Sequence, residues 1–153
     1  MRLNAKSRYA VTALLDLAIH SKNQRVTLAD IADRHVISLS YLEQLFSRLR
    51  KAELVKGIRG PGGGYLLAKA AHDITIAAII EGVNEPISVR ECNGEENCFH
   101  GNRCLVHYLW EDLDQEISSY LSNITLADLL TQQNQARNSQ VTERVVTFTK
   151  SVK

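Results

Sequence analysis

Between Lys6 and Ser21, apolar residues recur at Tyr9, Ala13, Leu14, Leu17 and Ala18, and these spacings of three to four predict an amphipathic helix. A shorter second helix is expected from Thr27 to about His35, with Thr27 as N-cap and Asp30 as an acid in the first turn. After the compact turn Ile37-Ser-Leu-Ser40, an apolar stripe at Tyr41, Leu42, Leu45, Phe46 and Leu49 predicts a third helix reaching Lys51. Two helices joined by a tight turn make a helix-turn-helix.

The pattern then changes from helical to extended. Leu54 to Arg59 and Tyr65 to Leu67 flank the tip Gly60-Pro-Gly-Gly-Gly64, which predicts a β-hairpin. No Gly-Lys-Ser/Thr follows and no helix opens there, so the glycines do not form a phosphate loop. A helix-turn-helix followed by a hairpin is a winged helix, whose third helix enters the major groove while the wing reaches backbone or minor groove. Thr75 to Asn84 predicts another short helix. From Cys104 onward, Val106, Leu109, Leu113, Ile117, Tyr120 and Ile124 form the seam of a long helix. Such a seam packs on its own domain or against a second copy, and the dimeric habit of winged-helix readers favours a homodimer. Thr125 to Leu130 adds a further turn or two. Thr131 to Lys153, rich in Gln, Asn, Ser and Thr, reads as a mobile tail. The expected fold is mainly α with a small β-hairpin: a winged helix-turn-helix domain over 1–72, a ligand loop and dimerisation helices over 73–130, and a tail over 131–153. There is no internal repeat.

With 153 residues and 44% apolar content, the chain can bury a conventional core without disulfides. No stretch approaches the roughly 18 apolar residues that span a bilayer. Nothing at the N-terminus reads as an export signal, so a cytoplasmic location without membrane attachment is expected. The net charge of +1 hides an asymmetry: residues 1–70 hold 12 Lys or Arg against 5 Asp or Glu, and residues 71–153 hold 6 against 12. The basic half is therefore the candidate for contact with phosphate.

Three cysteines and a histidine fall within sixteen residues as Cys92-x5-Cys98-x5-Cys104-x2-His107, and the chain has no other cysteine. An odd count argues against a disulfide framework. The residues between them are polar or flexible, so the loop can wrap an inorganic centre but cannot bury itself. Three thiolates and an imidazole suit either tetrahedral zinc or an iron-sulfur cluster, although structural zinc cysteines usually come in closer pairs. Cys104 and His107 are three apart and share a helical face. His100, in the same loop, is the competing ligand. A hydrolytic zinc enzyme would need an open coordination position and a nearby base, neither of which the loop offers. An electron carrier would have no use for a winged helix with a basic half.

For double-stranded DNA, Ser38, Ser40, Tyr41, Glu43 and Gln44 occupy the start of the third helix, which points at base edges. Gln pairs with adenine and Glu accepts from cytosine N4. Ser40-x-x-Glu43 could equally be a capping box. Arg48, Arg50, Lys51 and Lys56 are phosphate contacts or solvated charge, and Arg59 suits a narrow minor groove.

Several of these stretches together resemble a known family. They are Lys6-Ser-Arg-Tyr-Ala-Val-Thr-Ala13, Ile37-Ser-Leu-Ser-Tyr-Leu-Glu-Gln-Leu-Phe-Ser-Arg-Leu-Arg50, Arg59-Gly-Pro-Gly-Gly-Gly-Tyr-Leu-Leu67, the Cys/His loop and Asn123-Ile-Thr-Leu126. They are similar to the bacterial iron-sulfur cluster regulators, dimeric winged-helix transcription regulators, over about residues 1–130. The resemblance implies a 2Fe-2S cluster on Cys92, Cys98, Cys104 and His107, palindromic operators, and the iron-sulfur assembly machinery as cluster donor. It further implies that the loaded form represses the cluster-assembly operon while the apo form still binds a second class of promoter sites, with repressor or activator behaviour set by operator position. A sister group senses nitric oxide on a similar fold but lacks the Cys-x2-His ending.

Overall fold

The structure is a computed structural model that describes residues 4–22, 24–90, 92 and 94–150. Helix α1 (Ala5–His20) buries Ala10, Ala13, Leu14, Leu17 and Ala18, nearly the stripe expected from the sequence, whereas Tyr9 stays exposed. Helix α2 (Leu28–His35) opens on a capping box. Asp30 N–H donates to Thr27 Oγ1 at 3.1 Å, and Thr27 N–H donates to Asp30 Oδ2 at 3.1 Å. It ends at Val36, which adopts φ 53°, ψ 47° and is 93% exposed. A β-branched residue in this left-handed region is strained, and here the strain makes the sharp turn into α3 (Leu39–Lys51).

Strands β1 (Val55–Ile58) and β2 (Gly64–Leu67) pair antiparallel, with Val55 opposite Leu67 and Ile58 opposite Gly64. At the tip, Gly63 N–H donates to the Gly60 carbonyl at 2.8 Å, and Gly62 has φ +71°. Proline followed by a positive-φ glycine gives a type II turn. Val26 adds a single bridge to Tyr65, Arg25 donates to the Gly62 carbonyl at 2.9 Å, and Phe46 meets Tyr65 edge-on at 4.9 Å between centroids. These contacts fix the wing to the helical body.

Helix α4 (Ile76–Gly82), α5 (His107–Asn123) and α6 (Leu126–Lys150) complete the fold. The start of α6 is tied to the start of α4: Leu126 N–H donates to the Ile74 carbonyl and Ile76 N–H to the Ile124 carbonyl. Leu126 is thereby fully buried in one cluster with Leu14, Leu17, Phe46, Leu49, Ile79 and Ile80. That cluster draws on both sides of the boundary expected at residue 72. Each large apolar side chain in it contributes about 1.5–3 kcal/mol. Where the sequence predicts a tail from Thr131, α6 continues to Lys150, with 131–139 exposed.

A buried carboxylate joins α1 to α2. Asp16 accepts from Arg34 Nε at 2.8 Å and Nη2 at 2.6 Å, and lies 2.7 Å from His35 Nε2. Burial alone would raise its pKa, but the bonds from Arg34 and His35 outweigh burial and hold it below the usual carboxylate range. Its contribution is therefore present above the unfolded value of about 3.9 and lost as pH falls through the lower folded value. Asp16→Asn should cost on the order of 1–3 kcal/mol at neutral pH. Denaturant titrations should show that this deficit shrinks below about pH 4.

Candidate metal centre and nucleic-acid interface

The loop between α4 and α5 brings three of the four expected ligands close together. Ligand atoms of Cys92, Cys98 and His107 lie within 4.8 Å of one another. Cys98 Sγ is 3.5 Å from His107 Nδ1 and accepts the Cys104 backbone N–H at 3.2 Å. The Cys104 side chain stands outside that close trio but lines the same cavity, of about 270 Å³, with Val89, Arg90 and Trp110. His107 is the first residue of α5, and its N–H donates to the Cys104 carbonyl at 3.1 Å. His100 is exposed, stacks edge-on against Phe99 and is not in the trio.

The state of His107 tests whether an inorganic centre fits. Its side chain is 2% exposed, and its Nε2 has no hydrogen-bond partner among the described residues. A buried polar atom left in that condition costs about 1–3 kcal/mol. Coordination of the imidazole ring would offset that cost, and thiols grouped beside it supply the remaining donors. The residues present fit a metal or a cluster.

Residues that motif reading overlooked hold this site in place. Asp114, buried on α5, accepts from Val89 N–H at 2.5 Å, Ser88 Oγ at 2.8 Å and Arg90 Nε at 2.6 Å. Burial pushes its pKa up, but these bonds more than cancel that, leaving it below the usual range. The bond to Asp114 is the main reason the Arg90 pKa lies above its ordinary value, and the Arg90 guanidinium also interacts electrostatically with Cys92. Arg103 braces the far side through Glu96 and the Tyr108 hydroxyl. Asp114 sits one residue past Leu113 of the apolar seam, and only its burial distinguishes it from a solvated acid.

In the winged helix, α3 begins two residues earlier than the Ser40 box would require. Its N-cap is Ser38, whose Oγ accepts Tyr41 N–H at 3.4 Å and lies 3.0 Å from Ser40 Oγ. Glu43 therefore takes no part in a cap, and that alternative is corrected. Ser40, Glu43, Gln44, Ser47, Arg48 and Lys51 surround one shallow depression on the outer face of α3. Ser38 and Tyr41 line a neighbouring depression that shares Ser40 and Gln44, and Arg50 and the wing's Arg59 are exposed. Arg48 departs from the rest, because its Nη1 donates to the Val83 carbonyl at 3.0 Å.

Fold and site together define a winged-helix transcription regulator with a Cys/His loop fit to hold a metal. Residues 3–132 match the family Rrf2, described as iron-dependent transcriptional regulator. The chain belongs to the Rrf2 family. It is 59% identical over 134 residues, 88% of this chain and 82% of the relative, to the HTH-type transcriptional regulator IscR of Yersinia pseudotuberculosis. The IscR of Serratia proteamaculans is 58% identical over the same coverage. Among solved structures, T. potens IscR superposes with TM-score 0.74 at 37% identity, covering 89% of this chain and 90% of that one. CymR, the global cysteine regulator of B. subtilis, superposes with TM-score 0.72 at 34% identity, covering 86% and 98%. The expected family resemblance and the winged helix are thus borne out, and these relatives are regulators rather than enzymes. Among the described residues, no helix is long and apolar enough to cross a membrane.

Proposed function

We propose that the chain senses iron-sulfur supply through a 2Fe-2S cluster held by Cys92, Cys98, Cys104 and His107, and regulates cluster-assembly genes as a homodimer on palindromic DNA. The observation that carries this reading is the buried His107, with an unpartnered ring nitrogen beside two of the three cysteines. The position of Cys104 on the same cavity, but outside the close trio, supports a binuclear centre over a single tetrahedral ion, whose donors lie mutually close. Such a cluster supplies a redox-active, labile group whose presence follows its supply from the assembly machinery. The protein's own part is to place the Arg90 cation on the ligand cavity, to screen His107 from water, and to leave Cys98 and Cys104 partly open for loading. A neutral imidazole in place of a fourth thiolate raises the reduction potential and can be displaced by protonation. Both properties suit a sensor.

For DNA, Ser38, Ser40, Tyr41, Glu43 and Gln44 face base edges, Arg50 and Lys51 meet phosphate, and Arg59 enters the minor groove beside the site. Arg59→Ala should cost about 1–3 kcal/mol at sites where the wing enters the groove. Equal affinity of wild type and variant for every duplex tested would remove the wing from the interface.

Anaerobic purification followed by visible absorption and iron and sulfide analysis tests the cofactor. Charge-transfer bands with iron and sulfide in equal amounts are expected. Stoichiometric zinc without a visible band would overturn the assignment in favour of a structural clip, and a spectrum that bleaches without altering DNA affinity would overturn the sensing role.

A further inference from the structure

Arg48 shares the outer face of α3 with Ser40, Glu43, Gln44, Ser47 and Lys51, a position that suits a phosphate contact. Its guanidinium instead bonds inward. Nη1 donates at 3.0 Å to the carbonyl of Val83, the C-cap of α4, where the chain leaves the winged helix for the cysteine loop. The bond reaches the segment 83–90 at its first residue.

The rest of that segment is held with equal care. Glu85 accepts from Lys6 Nζ at 2.5 Å and Asn4 Nδ2 at 3.2 Å, which fastens it to the start of α1. The Lys6 bond is the main reason its carboxyl lies below the usual range, and the charge of Arg48 adds to the effect. At the other end Ser88, Val89 and Arg90 all bond Asp114 of α5, and Arg90 lines the ligand cavity with Cys92. Pro86 stiffens the middle. A short segment bonded at both ends transmits displacement, and a hydrogen bond weakens steeply once its geometry is lost.

We infer that Arg48 is a positioning residue that couples the metal centre to the DNA-reading helix: through the Val83 carbonyl it registers the state of segment 83–90 and sets how α3 is presented. The inference rests on the cluster-sensing reading above. Cluster binding orders Cys92 to His107, Arg90 and Asp114 pass that order to the segment, and Arg48 passes it to α3. The observations behind it are the Arg48 bond at one end of the segment, the Asp114 bonds at the other, and the place of Arg90 on the ligand cavity.

The test uses full-length wild type, Arg48→Ala and Arg48→Lys, each with and without cluster and with iron and sulfide measured. Binding to duplexes selected from a random pool by the wild-type protein is titrated across a salt series. Arg48→Ala is expected to shrink the ratio of loaded to cluster-free affinity by roughly twofold to thirtyfold. The salt slope should match wild type. Arg48→Lys, whose ammonium can still donate to Val83, should recover part of the ratio, and it keeps the test open if the alanine variant folds poorly. Amide hydrogen exchange over 83–90 in the cluster-free protein should be faster in Arg48→Ala. A uniform affinity loss in both forms, with the salt slope reduced by about one, would make Arg48 a phosphate contact and overturn the inference. An intact ratio in Arg48→Ala would overturn it alone, whereas a wild type whose cluster never affects DNA binding would overturn the sensing reading as well.

Discussion

Cys92→Ala is expected to yield a protein that folds but purifies almost without colour, with iron and sulfide lost together. Cys92 is buried against the ligand cavity, yet it stands outside the apolar cluster formed by α1 to α4, the wing and Leu126. Removing its thiol therefore takes away a ligand without cutting into the core. Under the proposed assignment three donors would remain, too few to hold the cluster, and His107 would be left a buried imidazole with an unmet ring nitrogen. Thermal unfolding followed by far-ultraviolet circular dichroism should show a melting temperature close to that of cluster-free wild type. Visible absorption should fall to a small fraction of the wild-type value. A variant with full colour would exclude Cys92 from the ligand set.

The second large effect is expected at the seam of α5. In the single chain, Leu109 is 58% and Tyr120 66% exposed, with Val106 also open and Leu113 and Ile117 half-covered. The packing of α5 on its own domain thus leaves half of the stripe exposed, which is the condition that a two-fold partner would relieve. Leu109→Asp tests this with little risk to the fold, because the side chain is already largely in solvent. In a dimer it would bury a carboxylate among apolar groups at a cost of several kcal/mol. Sedimentation should then show monomers, and binding to a palindrome should fall to the weak level of a half-site. A variant that still sediments as a dimer would place the interface elsewhere.

How much of this was readable in advance differs from element to element. The capping box of α2 follows from Thr27 and Asp30 alone, because its bonds are local, and the same is true of the Gly60-Pro-Gly-Gly tip. The start of α3 was legible only to within two residues: Ser38 and Ser40 are both good caps, and the left-handed turn at Val36 decides between them. A strained β-branched residue has no sequence signal. Thr131 onward has the composition of a tail, yet α6 runs through it from a start pinned by Thr125, Asp128 and the buried Leu126. Local polarity carried no information about that anchor.

By itself the sequence determined the apolar periods, the wing and a donor set of three thiols and an imidazole, because period, turn chemistry and ligand type are properties of neighbouring residues. Only the tertiary structure decided which histidine is buried, that Cys104 stands apart from the close trio, that Asp114 clamps Ser88, Val89 and Arg90, and that Arg48 turns from the DNA face to Val83. The last two depend on pairings across 24 to 35 residues of chain, where burial and hydrogen-bond geometry select one partner among many chemically equal ones.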